Sequence, residues 1–492
     1  MSFQIPKEVL NITQTLQKAG FEAWLVGGCV RDLLINRKPK DWDITTNALP
    51  EDIQKLFPKT FYENDFGTVG VVNEPIDGKE IDGTLKVVEV TPFRKEGKYS
   101  DFRRPDEVSF EANLEDDLKR RDFTINTLAY NPTGDKLVDL FEGQKDLKGQ
   151  ILRAVGNPKE RFQEDALRML RAVRLASELS FAIESETSKA IEKEGELLKN
   201  ISAERIQIEF SRIIMSDNPM AGIIFCQRFG LLKYFLPEIE EGLGTEQNGD
   251  HIYDVWEHNL RALNHAAGNG WSLHVRLSAL LHDVGKPRTR RWGEEQKDWT
   301  FYGHDVVGSR MAEKILKRLK YSNDITDVVS RLVRHHMFFS DIEKITLSAV
   351  RRIVRNVGEQ NVWDLMKVRA CDRIGMGRPK ETPYRLRKYH SMIEEAMRAP
   401  VSVGMLKING AKIMQVAKLS PGPKIGFILH ALLEEALDNP EINDEEQLQE
   451  KAVALAKLTD DELKKLGQAG KEKKEQKEEA ELAEIRGKYG VK

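Results

Sequence analysis

The stretch Leu25 to Thr46, LVGGCVRDLLINRKPKDWDITT, constrains the chain more than any other. Leu25 and Val26 read as the end of a buried strand. Gly27 and Gly28 then let the backbone turn tightly and approach a ligand with no Cβ in the way. Arg31 and Asp32 open a short helical run through Ile35, so free N–H groups and the positive end of a helix would face one anion. Asp41 and Asp43 follow on what reads as a second strand, where side chains at i and i+2 share a face. Two carboxylates beside a phosphate cradle make a divalent-metal site. Alone, a Gly-Gly is ordinarily a turn and an Asp-x-Asp a solvated strand end. Their order within about one βαβ length carries the reading.

This G-G…R-D…D-x-D pattern resembles the polymerase-β-like nucleotidyltransferases. The wording VGGCVRDLLINRKPKDWDITT resembles their class II subfamily, the tRNA nucleotidyltransferases and bacterial poly(A) polymerases. The resemblance implies Mg²⁺ on Asp41, Asp43 and a third acid, with Gly27, Gly28 and Arg31 positioning phosphate. Val87 to Thr91 alternates and is β-branched, so it reads as a strand with Glu89 on the face opposite Val88 and Val90. Glu89 is therefore expected to complete the catalytic set Asp41, Asp43 and Glu89.

Arg94 to Leu118 mixes charges with Gly, Pro and aromatics and shows no lasting period, so it reads as a mobile loop. In the family the corresponding loop helps switch the enzyme between nucleotides, which argues against an enzyme limited to cytidine. Arg120 to Asn126 resembles the family's R-R-D-F-T-I-N motif. The adjacent Arg120 and Arg121 offer charge to a triphosphate, Asp122 can accept from a ribose hydroxyl, and Asn126 belongs to the same nucleotide-binding motif. A capped helix start with Asp122 as cap is compatible with both roles. Asp139, Gly143 and Asp146 match the element joining the family's head to its next domain and are assigned a structural part.

Residues 160 to 179 place Ala166, Leu167, Leu170, Val173 and Leu175 at helical spacing. Glu164, Asp165 and Arg168 match the family's E-D-x-x-R motif. Cytosine and adenine both present an exocyclic amine beside a ring-nitrogen acceptor, whereas uracil and guanine present a carbonyl beside an N–H. An Asp165 acceptor and an Arg168 donor one helical turn apart fit the first pattern and oppose the second. Side chains would replace a nucleic-acid template. The simpler meaning of D-x-x-R is a surface ion pair. Ser202 to Glu209 opens another helix and resembles the last neck motif, a scaffold for the base-reading helix.

At 492 residues the chain exceeds one core, and roughly three to five domains are expected. A net charge of −3 is no global signature of a nucleic-acid binder, so RNA contact needs local basic patches. Arg153, Lys159, Arg161, Arg168, Arg171 and Arg174 form one against only Glu160, Glu164 and Asp165, and Arg171 and Arg174 are counted with the nucleotide-binding set. Such a run is as readily a solvated face. No apolar run approaches the ~20 residues of a membrane span, and Met1 to Gly20 lacks a signal-peptide core, so a cytoplasmic protein without membrane contact is expected. Cys29, Cys226 and Cys371 are widely spaced and odd in number, which points to free thiols.

The histidines cluster further on. His258, His282-Asp283, His304-Asp305, His335-His336 and Asp372 match the H…HD…D layout of HD-domain phosphohydrolases. Imidazoles with carboxylates suit Ni, Mn, Co, Fe or Mg. With His258, His282, Asp283 and Asp372 as ligands, a bound water becomes a hydroxide able to attack phosphorus. His304, His335 and His336 could hold a second metal or a substrate phosphate. Taken singly, each is more readily a satisfied core or surface residue. Some family members use such a domain on phosphate or 2′,3′-cyclic phosphate ends.

Leu406 to Leu432 sets Gly410 and the Pro421-Gly422-Pro423 turn between helical segments, with Lys424 nearby for phosphate contact. It resembles the family's tRNA-binding C-terminal region, and a plain helical hairpin reads equally well. Beyond Leu458, Glu and Lys dominate, as in a solvated helix or frayed tail. The expected fold is α+β: a small nucleotidyltransferase head with a mixed sheet over residues 1–150, then an all-α neck (151–240), HD domain (241–390), tail (391–458) and charged extension (459–492). The expected activity is template-independent addition of CCA to tRNA from CTP and ATP, with a phosphohydrolase in the HD domain. An A-adding enzyme or poly(A) polymerase is the alternative. Oligomeric state stays open.

Overall fold

The computed structural model describes residues 3–62, 67–74, 81–97, 108–110, 112–249, 251–337, 345–397, 403–438 and 440–491. They form two compact units, one of Met1–His336 with Lys367–Pro379, the other of Met337–Met366 with Lys380–Lys492.

The first unit begins with a seven-stranded sheet. Its strands are β1 (Ala23–Val26), β2 (Asp43–Thr46), β3 (Thr60–Tyr62), β4 (Val69–Val72), β5 (Val87–Pro92), β8 (Ala129–Asn131) and β9 (Lys136–Val138), while β6 (Lys95–Glu96) and β7 (Val108–Ser109) pair separately as a hairpin. Spatial order is β3-β4-β5-β2-β1-β8-β9. β2 and β5 run parallel and the other neighbours antiparallel, so the sheet is mixed. Leu25, Ile44, Val69, Val88 and Val90 face a core shared with Val9, Ile12 and Leu16 of the helix Lys7–Lys18. Trp24 and Val26 pack on the opposite face with Phe93, Leu118 and Ala129.

The parallel register sets Asp43 beside Glu89 and Ile44 beside Val90. With Ile44 and Val90 in the core, period two turns Asp43 and Glu89 to the other face. The expectation that Asp41 and Asp43 share one strand is corrected here. The strand starts at Asp43, and Asp41 lies in the preceding bend. Pro39 has no N–H to give a ladder. Arg31 also differs from expectation: the helix spans Gly28–Leu34, so its first turn is Gly28, Cys29 and Val30, and Arg31 is its middle residue.

Residues 94–118, read as loop, contain the β6–β7 hairpin and a helix, Leu114–Lys119, started by a capping box between Asn113 and Asp116. An Asn cap followed by Glu115, Asp116 and Asp117 is a helix-start signal that the mixed composition obscured. Residues 98–107 and 111 of that loop lie outside the described residues. The single helix expected over 160–179 is two, Pro158–Glu164 and Leu167–Leu179. Asp165 between them is extended (φ −140°), and its Oδ1 accepts from Leu167 N (3.1 Å). Its short carboxylate caps the second helix instead of continuing the first.

One apolar core runs on from the sheet through the neck, where Leu170, Phe210 and Ile213 lie, into the helices carrying the histidines, where Leu260, Leu277 and Ile315 lie. Buried Arg276 donates to the carbonyls of Ile214 (3.0 Å) and Ser216 (2.8 Å), satisfying the end of the helix Ala203–Ile214. Gly285 packs against a second backbone. A Cβ there would meet the His304 carbonyl and lie 2.6 Å from Gly308 N.

In the second unit, Leu406, Ile413, Ile428, Leu432, Leu448 and Leu463 form a separate core among helices that include Gly410–Ala417, Pro423–Asp438, Glu445–Leu455 and Asp460–Tyr489. The charged extension is a helix with a Thr459/Glu462 capping box at its start. Near its end, Arg486 donates to buried Glu395 (3.2 Å) and Lys488 to Glu394 (2.9 Å). Among the described residues no helix is long and apolar enough to cross a membrane.

Two predictions follow from these joints. Arg171, on the helix Leu167–Leu179, donates twice to Asp122 Oδ2 (2.9 and 2.7 Å) and so pins the neck to the head. Burial alone would raise the Asp122 pKa, but the Arg171 charge and the Asn126 hydrogen bond hold it far below the carboxylate range. Because the folded value is depressed, this stabilisation is complete above the unfolded pKa of about 4 and fades as pH falls towards the folded one. Asp122→Asn should cost on the order of 2 kcal/mol at pH 7, the low side for a buried pair because the Arg171 side chain is 35% exposed. In urea unfolding the gap between variant and native protein should shrink below about pH 4. Gly285→Ala should cost about 3 kcal/mol or more by forcing two backbones apart, read as a lowered thermal midpoint.

Candidate functional site

Strand β1 delivers the chain to Gly27, whose backbone has φ 75°, a conformation that favours glycine. A Cβ there would lie 3.0 Å from Arg121 Nη1 and 3.6 Å from Asp43 Oδ2. The Gly turn is therefore enclosed between a guanidinium and a carboxylate. On one side a cavity of about 330 Å³ is lined by Gly27, Gly28, Arg120, Arg121, Asp122, Asn126, Asp165, Arg168, Arg171 and Arg205. On the other, a cavity of about 360 Å³ is lined by Asp41, Asp43, Glu89, Arg31, Lys40, Arg174 and Arg212. Gly28, Asp43, Asn126 and Arg171 border both, so the cationic and the carboxylate compartments meet at Asp43.

Every head and neck residue expected at a site lines one of these cavities, with distinct partners. Arg31 donates to Asp32 (2.8 Å) and to Asn126 Oδ1 (2.9 Å), tying the Gly turn to the turn at Thr124–Asn126. Asp122 Oδ1 accepts from Phe123 N (2.8 Å) and Asn126 Nδ2 (3.0 Å), while its Oδ2 takes Arg171. Arg174 is buried in ion pairs with Glu209 (2.6 Å) and Glu178 (3.0 Å) at the wall of the carboxylate compartment. The thiol of Cys29, pushed up to about 12 by burial with Asp43 adding to it, is an inert packing group. All three cysteines are free and buried.

Asp165 and Arg168 meet through the backbone, Arg168 N donating to the Asp165 carbonyl (3.0 Å), while their side chains take other partners. Asp165 Oδ2 accepts from Arg205 Nη2 (2.8 Å). Arg168 donates to Glu164 (2.5 Å) and to the carbonyls of Arg161 and Arg120 (3.2 Å each). Both are thus held by third parties on one wall of the nucleotide-sized cavity. Arg120 lines that cavity beside Arg121, as two adjacent arginines offering charge to a triphosphate would, whereas Arg205 was not anticipated among the site residues. Arg205 lies 40 residues from Asp165 on another helix, and only packing joins them.

The histidine helices build a second centre. His258 Nε2 and His282 Nε2 are 2.8 Å apart, and both face Asp283 Oδ2 (3.1 and 3.3 Å) and Asp372 Oδ1 (3.4 and 3.7 Å). Ligand atoms held about 2.0–2.2 Å from one ion lie roughly 3–3.5 Å from each other, so these spacings suit a single cation. The other carboxylate oxygen, Asp283 Oδ1, faces His304 Nε2 and His336 Nε2, each at 3.4 Å. Asp283 therefore belongs to both groups. His335, half-buried, joins neither group.

The hydrogen bonds around these rings aim them inward. Nδ1 of His282, His304 and His336 bonds the carbonyls of Ala279, Phe301 and Val333 at 2.8, 2.7 and 2.6 Å, which turns each Nε2 towards the centre. His304 Nε2 and His336 Nε2 are buried without hydrogen-bond partners, as a ligand-binding role requires. Lys286 Nζ lies 2.7 Å from Asp283, and Arg369 pairs with Asp372. Burial disfavours charge on His282, yet Asp283 and Asp372 push its pKa up to about 10. Burial opposes ionisation of both carboxylates, and neighbouring cations hold both well below the usual range. The donor set fits a divalent cation. Among the described residues the groups of three or more ligand atoms within 4.8 Å are these two, so the head carboxylates are more widely spread.

Comparison with known proteins places this geometry. The family described as "Poly A polymerase head domain" matches residues 23–153, "Probable RNA and SrmB- binding site of polymerase A" matches 180–243, and "HD domain" matches 255–377. A CCA-adding enzyme of Ligilactobacillus salivarius is 44% identical over 255 residues, 49% of this chain and 60% of that protein. In this and similar matches the alignment spans between about half and 60% of the relative's length. A CCA-adding enzyme of Lactobacillus delbrueckii subsp. bulgaricus is 33% identical over 434 residues, covering 87% of this chain and 92% of the relative. The solved Bacillus stearothermophilus CCA-adding enzyme in complex with CTP is 29% identical, covers 91% of this chain and 96% of its own, and superposes with a TM-score of 0.60. The head and HD domains imply use of divalent metal. With a nucleotidyltransferase head, a helical neck and an HD domain in that order, the chain belongs to the CCA-adding enzyme family.

Proposed function

We propose that this chain adds CCA to tRNA 3′ ends from CTP and ATP, releasing pyrophosphate, with side chains in place of a template. The observation that carries the reading is the meeting of the two compartments at Asp43: carboxylates on one side, the Asp165 and Arg168 edges on the other. Asp41, Asp43 and Glu89 are the catalytic residues and would hold Mg²⁺, which supplies charge to the attacking 3′-oxygen and the triphosphate. Gly27, Gly28 and Arg121 receive the phosphates, with Arg31 fixing the turn. Asp122 and Asn126 address the ribose, oriented by Arg171. Asp165 accepts from the exocyclic amine and Arg168 donates to the ring nitrogen of cytosine or adenine. Arg174 supports this wall through Glu209. The 3′-hydroxyl oxygen attacks the α-phosphorus and gives up its proton to solvent, the bond from the α-phosphorus to the oxygen bridging to the β-phosphate breaks, and pyrophosphate leaves.

Residues 1–150 serve as head, 151–240 as neck, 241–390 as the HD part and 391–458 as a tail contacting tRNA phosphates. Lys424 Nζ donates to the Leu458 carbonyl (2.8 Å) within that tail, so the turn at Pro421-Gly422-Pro423 is anchored. The setting is the cytoplasm, where tRNA and both nucleotides meet.

The shared Asp283 favours a second activity, metal-dependent hydrolysis of terminal phosphate or 2′,3′-cyclic phosphate. His258, His282, Asp283 and Asp372 would hold one cation of the Ni, Mn, Co, Fe or Mg class, and Asp283 with His304 and His336 a second.

Addition is tested with tRNAs ending before the first C, after C and after CC, each offered CTP, ATP or both. Two C and one A, then a stop, is the expected product. Extension of the CC end by A alone would replace the reading with an A-adding enzyme. Asp43→Asn should lower addition at least about 100-fold. Asp283→Asn should abolish hydrolytic opening of a 2′,3′-cyclic phosphate end to the ribose monophosphate while addition persists. EDTA should stop that opening and one of Ni²⁺, Mn²⁺ or Co²⁺ should restore it.

A further inference from the structure

Asp117 is fully buried near the end of the short helix Leu114–Lys119, beneath two arginines whose side chains are 17% and 18% exposed. Its Oδ1 accepts from Arg120 Nε (3.0 Å) and Nη2 (2.5 Å). Its Oδ2 accepts from Arg121 Nη2 (3.2 Å) and from Thr45 Oγ1 (3.4 Å) on β2, two residues beyond Asp43. A single carboxylate therefore divides its oxygens between two adjacent guanidinium groups and is itself held by the strand carrying a candidate catalytic carboxylate.

Both arginines line the cavity with the Gly turn and the base-reading wall. Arg121 Nη1 abuts Gly27, and Arg121 Nε is buried with no hydrogen-bond partner, a donor left for an incoming acceptor. The Arg120 carbonyl accepts from Arg168 Nη2, so the same dipeptide touches the base-reading arginine. Two neighbouring arginines repel each other. One buried carboxylate between them lessens that repulsion and fixes both forks before a nucleotide arrives. Burial would lift the Asp117 pKa, but the charges of Arg121 and Arg120 outweigh it and hold the group below the usual carboxylate range.

We propose that Asp117 is a positioning residue for nucleotide addition, holding Arg120 and Arg121 where they grip the triphosphate. This rests on the nucleotidyltransferase reading above. The role acts on phosphate and not on the base, so it affects CTP and ATP alike and leaves tRNA binding untouched.

The test is isothermal titration of CTP and of ATP, with Mg²⁺, into the full chain. Asp117→Asn is compared in the native background and in an Arg120→Gln/Arg121→Gln background, with thermal melting to confirm folding. In the native background Asp117→Asn should weaken both nucleotides by about tenfold, and in the double-arginine background by less than about twofold, because a residue acting through its partners is non-additive with them. Cytidine, which lacks phosphates, should bind native protein and variant alike. Unchanged CTP and ATP affinity, or the same loss in both backgrounds, overturns the proposal. If Asp117→Asn does not fold, Asp117→Glu keeps the charge but displaces it by one methylene, and it should show the same non-additive loss; no loss with that variant is equally fatal. Failure of the native protein to incorporate CTP into tRNA overturns the reading of its function, whereas the titration ratios decide the role of Asp117.

Discussion

The head depends on one pairing, the parallel register of β2 with β5 that sets Asp43 beside Glu89 in an otherwise antiparallel sheet. Like charges placed side by side on a sheet are destabilising without compensation. A parallel neighbour also requires a crossover, here the chain from β2 through the helix Pro50–Leu56, β3 and β4 before β5. Ile44 and Val90 hold the register, because a strand that slipped by one residue would turn its carboxylate into the core and its aliphatic side chain out. The carboxylate pair is therefore maintained by the packing behind it, and a cation would offset its repulsion.

The two centres solve the metal problem differently. In the histidine centre, backbone carbonyls orient three imidazoles and buried carboxylates face them, so the donors stand preassembled at ligand-to-ligand spacings. In the head, Asp41 comes from a bend while Asp43 and Glu89 come from paired strands, and the three share a cavity with no such closure. A preassembled set suits a resident ion. An open set suits an ion that arrives with the triphosphate.

Much of the head was legible because its chemistry is local. Gly27-Gly28, the alternation around Glu89 and the order of the carboxylates are signals of a few residues each, and the structure lines them up around two adjoining cavities. Legibility failed where a side chain competed with the backbone or where partners were far apart. Asp165 fits a helical period by spacing, yet its carboxylate caps the next helix and breaks the first. Arg205 lies in the neck motif read as a scaffold, but nothing local assigns its side chain a partner, and only the packing of two neck helices brings it to Asp165. His335 and His336 are adjacent in sequence, but helix geometry sends them in different directions, so one enters the centre and the other does not.

The central claim is that side chains read the base with no nucleic acid present. It is tested most directly by titrating CTP, ATP, UTP and GTP into the native protein with Mg²⁺ and without tRNA. The account predicts that CTP and ATP bind and that UTP and GTP bind at least about tenfold more weakly, because an Asp165 acceptor and an Arg168 donor oppose the edges of uracil and guanine. Equal affinity for all four nucleotides would contradict it and move the origin of specificity to the RNA.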